Sequence, residues 1–174
     1  MNVTVFGGSN PVEEDYRQAM LLGYLLGEAG HTVLTGGYIG AMEAVSKGAA
    51  EAKAHVIGVT CAEIESWRPV KPNQWIVEER RFATLRERLF ALIEGCDAAI
   101  ALPGGPGTLT EIALTWNLLL TETIPPRPLI LVGPGWRMLF EQFYAANSSY
   151  ISEPQRRWLS FARNAEEACN RLSI

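Results

Sequence analysis

Apolar residues along this chain fall in short unbroken runs separated by longer amphipathic stretches. The runs "VTVFGG" (3–8), "HTVLTGG" (31–37), "HVIGVT" (55–60), "DAAIAL" (97–102) and "RPLILVG" (127–133) lack the polar alternation of a half-solvated strand. They predict strands buried on both faces. Asn10 is placed to cap a first helix that opens with Pro11, carries acids in its first turn and closes at Gly30. "GAMEAVSKGAAEAKA" (40–54) predicts a second helix. Residues 61–74, with Pro69, Pro72 and Asn73, predict a loop, and "QWIVEE" (74–79) a short strand. From Arg81 to about Gly95 the pattern is helical, with Phe82, Leu85, Leu89, Leu92 and Ile93 on one face. In "TLTEIALTWNLLL" (108–120) the shared face is Leu109, Ile112, Ala113 and Trp116. Residues 135–146 read as helix, "WLSFAR" (158–163) as an edge strand, and Asn164 with Glu167 as the cap of a last helix.

Strands and helices alternate from end to end. That order predicts an α/β fold: a Rossmann-like three-layer α/β/α sandwich with a mostly parallel sheet. No linker, repeat or low-complexity tract interrupts it, so one nucleotide-binding domain is expected over residues 1–174.

Composition narrows the class. The chain has 174 residues, 48% hydrophobic and 20% charged, which suits a packed core and argues against disorder. No apolar run approaches the roughly 18–20 residues of a membrane span, and the N-terminus lacks the features of a secretory signal. A net charge of −4 gives no reason to expect nucleic acid or an acidic membrane as partner. Cys61, Cys96 and Cys169 are odd in number and without metal-ligand spacing, so neither a disulfide framework nor a metal site is expected. A reducing cytoplasm suits them. His31 and His55 each precede a strand-like run and read as structural.

Three strand ends are rich in glycine. "FGGSN" (6–10) offers Gly8 and Ser9; "TGGYIGAM" (35–42) offers Gly36, Gly37, Gly40 and Met42; "PGGPGT" (103–108) offers Gly104, Gly105, Gly107 and Thr108. In an open α/β sheet ligands bind at the carboxyl ends of strands, where glycine lets backbone N–H groups approach a phosphate at a helix N-terminus. One such junction is ordinary turn chemistry; three favour an anionic ligand. No Lys lies near 103–111 to make a P-loop, and Thr110 stands where a dinucleotide fingerprint needs its third glycine. A single phosphate, as in a mononucleotide, fits better.

"TLTE" (108–111) has two readings. Thr108 as N-cap with Glu111 three residues on forms a capping box. Equally, a Glu in the first helical turn stays ionised beside the helix dipole and would face the sugar of a nucleotide held by the glycines. There it could stabilise an oxocarbenium-like transition state or position water, and would be a poor general acid near neutral pH.

"PGGPGTLTE" (103–111) resembles the PGGxGTxxE motif of the LOG ("Lonely Guy") family. "DAAIALPGG" (97–105) is similar to that family's strand DAFIALPGG, and "GGYIGAM" (36–42) to its GG-x-x-G-x-M element. The resemblance runs from residue 3 to about residue 132. Members long carried a lysine decarboxylase label; several are phosphoribohydrolases that split cytokinin nucleoside 5′-monophosphates into free base and ribose 5-phosphate. The family's second signature, M-x-x-R-K-x-x-M, falls on "LRERLFAL" (85–92), with Arg88 at the Arg position and Leu85 and Leu92 in place of methionine.

The resemblance implies that Arg88 and Glu111 are the catalytic pair of a nucleoside 5′-monophosphate phosphoribohydrolase. It also implies no cofactor, and a homodimer or larger assembly. From the residues alone, Arg88 is one of several arginines, with Arg81 and Arg86, on the flank of a helix. Leu89 replaces the family's Lys, and Pro106 its common Tyr. LOG-like folds also include molybdenum-cofactor carriers, so a non-catalytic carrier of a phosphate-bearing pterin is the alternative. Amine-forming decarboxylation needs a pyridoxal phosphate Schiff-base lysine, and Lys47, Lys53 and Lys71 are not at strand ends, which excludes that label.

Overall fold

Successive residues of a strand point to opposite faces, so a strand without polar alternation needs a helical layer on each side. The computed structural model, which describes residues 1–173, meets that need. Its strands are β1 (Asn2–Phe6), β2 (Thr32–Thr35), β3 (Val56–Cys61), β4 (Glu78–Phe82), β5 (Ala98–Ala101), β6 (Leu129–Val132) and β7 (Leu159–Ala162). They form one seven-stranded sheet in the order β4-β3-β2-β1-β5-β6-β7, and every pairing is parallel. The helices are α1 (Glu13–Glu28), α2 (Ala41–Glu51), α3 (Ala62–Trp67), α4 (Leu85–Glu94), α5 (Pro106–Leu120), α6 (Pro134–Ala146), α7 (Glu153–Arg156) and α8 (Ala165–Asn170).

Two apolar clusters fill the spaces above and below the sheet. Val3, Val5, Ala98 and Ile100 face one way, onto Leu22 and Leu26 of α1, Val45 of α2 and Ala168 of α8. Phe6, Ala99 and Ala101 face the other way, onto Leu92 of α4, Ile112 and Trp116 of α5, and Phe140 of α6. The architecture is the expected three-layer α/β/α sandwich.

Several boundaries differ from the sequence expectation. Asn10 does not cap α1, which starts at Glu13 behind Val12; Pro11 stays outside the helix. The stretch expected as a loop holds α3, and the strand expected at 74–79 is displaced to Glu78–Phe82. At the sheet edge β4 can leave "EER" and Arg81 in solvent, so charge rather than hydrophobicity marks this strand. Accordingly α4 begins not at Arg81 but at Leu85, where Thr84 and Glu87 form a reciprocal capping box. Its buried face is Arg88, Leu92 and Ile93, while Leu85 is exposed. In α5 the buried face is Thr108, Ile112, Thr115, Trp116 and Leu119, so Leu109 and Ala113 turn outward. Asn164 caps α8 as expected, accepting from the Glu167 N–H.

The helices α1 and α2 cross with almost no gap, through Gly23 and Gly48. A Cβ on Gly23 would sit 2.1 Å from the Val45 carbonyl oxygen, and one on Gly48 would sit 1.9 Å from that of Met20. Alanine is the better helix former by roughly 1 kcal/mol, but the clash is with backbone and cannot relax by a rotamer change. Gly48→Ala is expected to lower unfolding free energy by about 1–3 kcal/mol in urea melts. An unchanged or raised midpoint would show that the helices part freely.

Candidate active site

Strands are added to one side of β1 as far as β4, then to the other side from β5 onward. The loops leaving β1 and β5 therefore diverge, and a crevice opens at their carboxyl ends. Backbone hydrogen bonds shape it. The Leu102 N–H donates to Phe6 O (2.9 Å), Gly8 N–H to Pro103 O (3.1 Å), and Ala41 N–H to Gly8 O (2.9 Å). Gly8 thus joins the glycine loop after β5 to the start of α2. Gly40, the N-cap of α2, has φ +77°, and a Cβ there would lie 2.5 Å from the Ser9 carbonyl carbon and oxygen, so only glycine fits.

The helix α5 begins three residues earlier than a Thr108 cap implies. Gly105 is the N-cap and Pro106 the first helical residue, its fixed φ suited to that place. The expected Thr108–Glu111 capping box is therefore absent. Thr108 is buried in the first turn, where its N–H and that of Gly107 have no intrahelical acceptor, and Glu111 falls in the second turn. Pro106 takes one N–H away from this cradle. Cβ atoms on Gly105 and Gly107 would meet nothing within 4 Å, so these glycines leave open space; one on Gly104 would strike Thr108 Oγ1 at 2.2 Å.

Arg88 is not on a solvated flank. It is 6% exposed, its Nε donates to Val59 O (2.8 Å), and its Nη2 donates to Gly36 O (3.0 Å). Its guanidinium lies 5.6 Å from the Tyr38 ring centroid, a cation–π distance. Nη1 has no hydrogen-bond partner among the described residues. A Cβ on Gly36 would lie 2.0 Å from Nη2, so that glycine exists to admit the arginine.

A cavity of about 440 Å³ connects these parts, within the roughly 300–1,000 Å³ of small-molecule sites. Of the residues expected from sequence, Gly8, Ser9, Met42, Arg88, Gly105, Gly107, Thr108 and Glu111 line it. Gly36, Gly37, Gly40 and Gly104 do not; they support its walls. Sequence reasoning missed Tyr38, Ile64, Trp67 and Arg68, which also line it. Tyr38 stands inside a quoted motif, whereas Ile64, Trp67 and Arg68 belong to α3 and its C-cap, in the stretch expected to be loop. No lysine lines the cavity.

Glu111 differs most from expectation. Its side chain is half-buried, enclosed by protein except toward the cavity, and its carboxyl has no hydrogen-bond partner among the described residues. Burial pushes its pKa up to about 7, while the positive charge of Arg88 opposes the shift. The helix dipole argument for a fully ionised carboxylate fails because Glu111 lies past the first turn. A carboxyl titrating near neutrality can act as a general acid or base.

Known proteins resemble this chain in sequence and in fold. The model of the family described as "Possible lysine decarboxylase" matches residues 42–172. The chain is 31% identical over 175 residues to a probable cytokinin riboside 5′-monophosphate phosphoribohydrolase of Oryza sativa subsp. japonica, covering 98% of this chain and 70% of that one. It is 33% identical over 141 residues to the pyrimidine/purine nucleotide 5′-monophosphate nucleosidase of Escherichia coli (strain K12), covering 76% of this chain but only 31% of that protein. Among solved structures, the molybdenum cofactor binding protein of Rippkaea orientalis superimposes with a TM-score of 0.79 at 24% identity, covering 99% of this chain and 94% of that one. At that identity the likeness is one of fold.

The raised carboxyl gives a stability signature. Between about pH 4.5 and about 7 the folded state holds a proton on Glu111 that the unfolded state has lost, so stability falls as pH rises through this window and levels off above it. The loss is on the order of 2–3 kcal/mol, less whatever the cavity's solvent recovers. Glu111→Gln is expected to remove this component from a pH series of urea melts. Parallel curves for the two proteins would show that Glu111 is not desolvated.

Proposed function

The chain belongs to the family described as "Possible lysine decarboxylase", with the LOG phosphoribohydrolases among its relatives, and from that premise we propose that it hydrolyses the N-glycosidic bond of nucleoside 5′-monophosphates. The products are free base and ribose 5-phosphate. The observation that carries this reading is an unpartnered carboxyl with a pKa of about 7, beside a buried arginine and facing a glycine-lined helix N-terminus.

The parts have distinct tasks. The N–H groups of Gly107 and Thr108, at the positive end of α5, hold the 5′-phosphate in the space that Gly105 and Gly107 leave open. The ribose then lies over Glu111 and Arg88. Water adds to C1′ as the bond to the base breaks, and the bonding pair leaves with the base. Glu111, ionised, balances the positive charge developing on the ribosyl ring and takes the proton of the attacking water. That proton is then available to the departing nitrogen. Arg88 keeps enough of Glu111 ionised at neutral pH for this role. Leu89, where the family has Lys, packs against the core away from the cavity lining, and Pro106, which lines the cavity, withdraws one cradle donor.

Incubation with a panel of nucleoside 5′-monophosphates, read by chromatography of base and ribose 5-phosphate, tests the assignment. Wild type should release both, with kcat/KM rising with pH through about 7 as Glu111 ionises. Glu111→Gln should be slower by about 10²–10⁴-fold. No release, or an equally fast variant, would refute it. A fluorescent pterin co-purifying with a protein that hydrolyses nothing would establish a carrier instead.

We infer a second copy of this chain as partner and the cytoplasm as its location. Leu109, Met138, Leu139, Phe143 and Tyr150 present exposed apolar surface on and beside α5 and α6. Cys61, Cys96 and Cys169 are free thiols, suited to a reducing compartment. Among the described residues no helix is long and apolar enough to cross a membrane. Light scattering at micromolar concentration should give at least a dimer mass; a monomer mass would overturn the inferred assembly.

A further inference from the structure

We propose that Arg68, which lines the same cavity as the glycine cradle, is the residue that makes a phosphate group necessary for binding. This rests on the nucleotide reading above and assigns a role to a residue outside every motif of the chain.

Two cationic side chains line the cavity, Arg68 and Arg88. They differ in what holds them. Arg88 spends Nε and Nη2 on backbone carbonyls deep beneath the site. Arg68 has one partner inside the site: Nη1 donates to Ser9 Oγ at 3.3 Å, a long bond to a neutral acceptor. Its Nε is buried and has no hydrogen-bond partner among the described residues. A guanidinium carries five N–H donors and no acceptor, so with Nε buried Arg68 keeps N–H groups of Nη1 and Nη2 for a bidentate anion.

Its place in the cavity selects the phosphate end of a nucleotide. Ser9 follows Gly8, whose N–H donates to Pro103 O and whose Cβ, were it present, would lie 3.2 Å from Gly104 Cα. The Arg68–Ser9 contact is therefore one residue from the loop that leads into the cradle. There it supplies charge where Pro106 has removed a donor. The backbone that carries Arg68 is also held in place. Pro69 confines Arg68 to extended backbone, observed at φ −138°, ψ 128°, at the C-cap of α3. The helix itself is anchored: Glu63 accepts from the Leu85 N–H at 2.7 Å, Glu65 pairs with Arg81, and the Tyr38 hydroxyl reaches both Cys61 O (3.1 Å) and Glu65 (3.3 Å).

Calorimetric titration with ribose 5-phosphate and with ribose separates phosphate recognition from catalysis. Wild type should bind ribose 5-phosphate far more tightly than ribose. Arg68→Ala should weaken the phosphorylated sugar by about 10–100-fold and leave ribose unchanged, with Arg68→Lys recovering part of the loss. In hydrolysis the same factor should appear in KM, with kcat within about threefold and the ranking of bases preserved. Wild type that does not discriminate between the two sugars overturns the proposal. So does Arg68→Ala with undiminished affinity, or a changed ranking of bases at constant phosphate affinity, which would make Arg68 a reader of the base. A lowered melting temperature without rescue by Lys assigns it a structural role and also overturns it. If no nucleotide is hydrolysed but Arg68→Ala still loses ribose 5-phosphate, the hydrolase reading fails and Arg68 stands.

Discussion

A guanidinium buried under the carboxyl ends of the sheet sets the conditions for everything above it. Taking an ion out of water is tolerated only where its donors are matched. Arg88 finds its acceptors in Val59 O, at β3, and Gly36 O, just past β2, with the Tyr38 ring alongside. Those acceptors belong to separate segments, so the arginine fixes the ends of β2 and β3 relative to α4. It also dictates sequence at a distance. Residue 36 must lack a Cβ because Nη2 occupies that space, and the Tyr38 ring lies at cation–π distance from the guanidinium. Above it, the same charge is what keeps the enclosed carboxyl of Glu111 near neutrality rather than higher.

The glycines of the crevice do two different jobs. Gly36, Gly40 and Gly104 are glycines because protein atoms stand where a Cβ would be. Gly105 and Gly107 face nothing within 4 Å, and neither has a positive φ. Protein packing does not explain the second pair. Space at the positive end of a helix does, since a methyl group on either would project into the region an anion needs.

Much of this was legible in the chain. Apolar runs located the buried strands because a parallel sheet hides both faces, and the glycine junctions pointed to the crevice because backbone needs glycine there. What escaped depended on contacts distant in sequence. β4 is a charged edge strand, so its pattern carries no hydrophobic signal. α3 hides in a stretch whose prolines suggest a loop. "TLTE" looks like a cap, but Pro106 takes the first helical position three residues before that cap implies and moves Glu111 into the second turn. The motif that resembled the LOG family pointed to Arg88 and Glu111, which line one cavity, yet helical periodicity alone left Arg88 among exposed arginines. Nothing local says that carbonyls 29 and 52 residues away will accept from it. Arg68 had no signal at all, because its proximity to Ser9 arises from the fold.

The energetics of Glu111 bear on the choice between a hydrolase and a carrier built on one fold. A carrier of a phosphate-bearing ligand needs the cradle and a cation, and both would work with a solvated carboxylate or none. Here the chain encloses a carboxyl, gives it no hydrogen-bond donor and holds it where its ionisation near neutrality destabilises the folded state. Such a group persists where it is used, and perturbed carboxyls gather at reacting centres for that reason. A Gln in its place would pack the same volume without the penalty. The arrangement therefore favours chemistry at the sugar over simple retention of a phosphate, and it puts the distinction in one side chain that the fold likeness does not reveal.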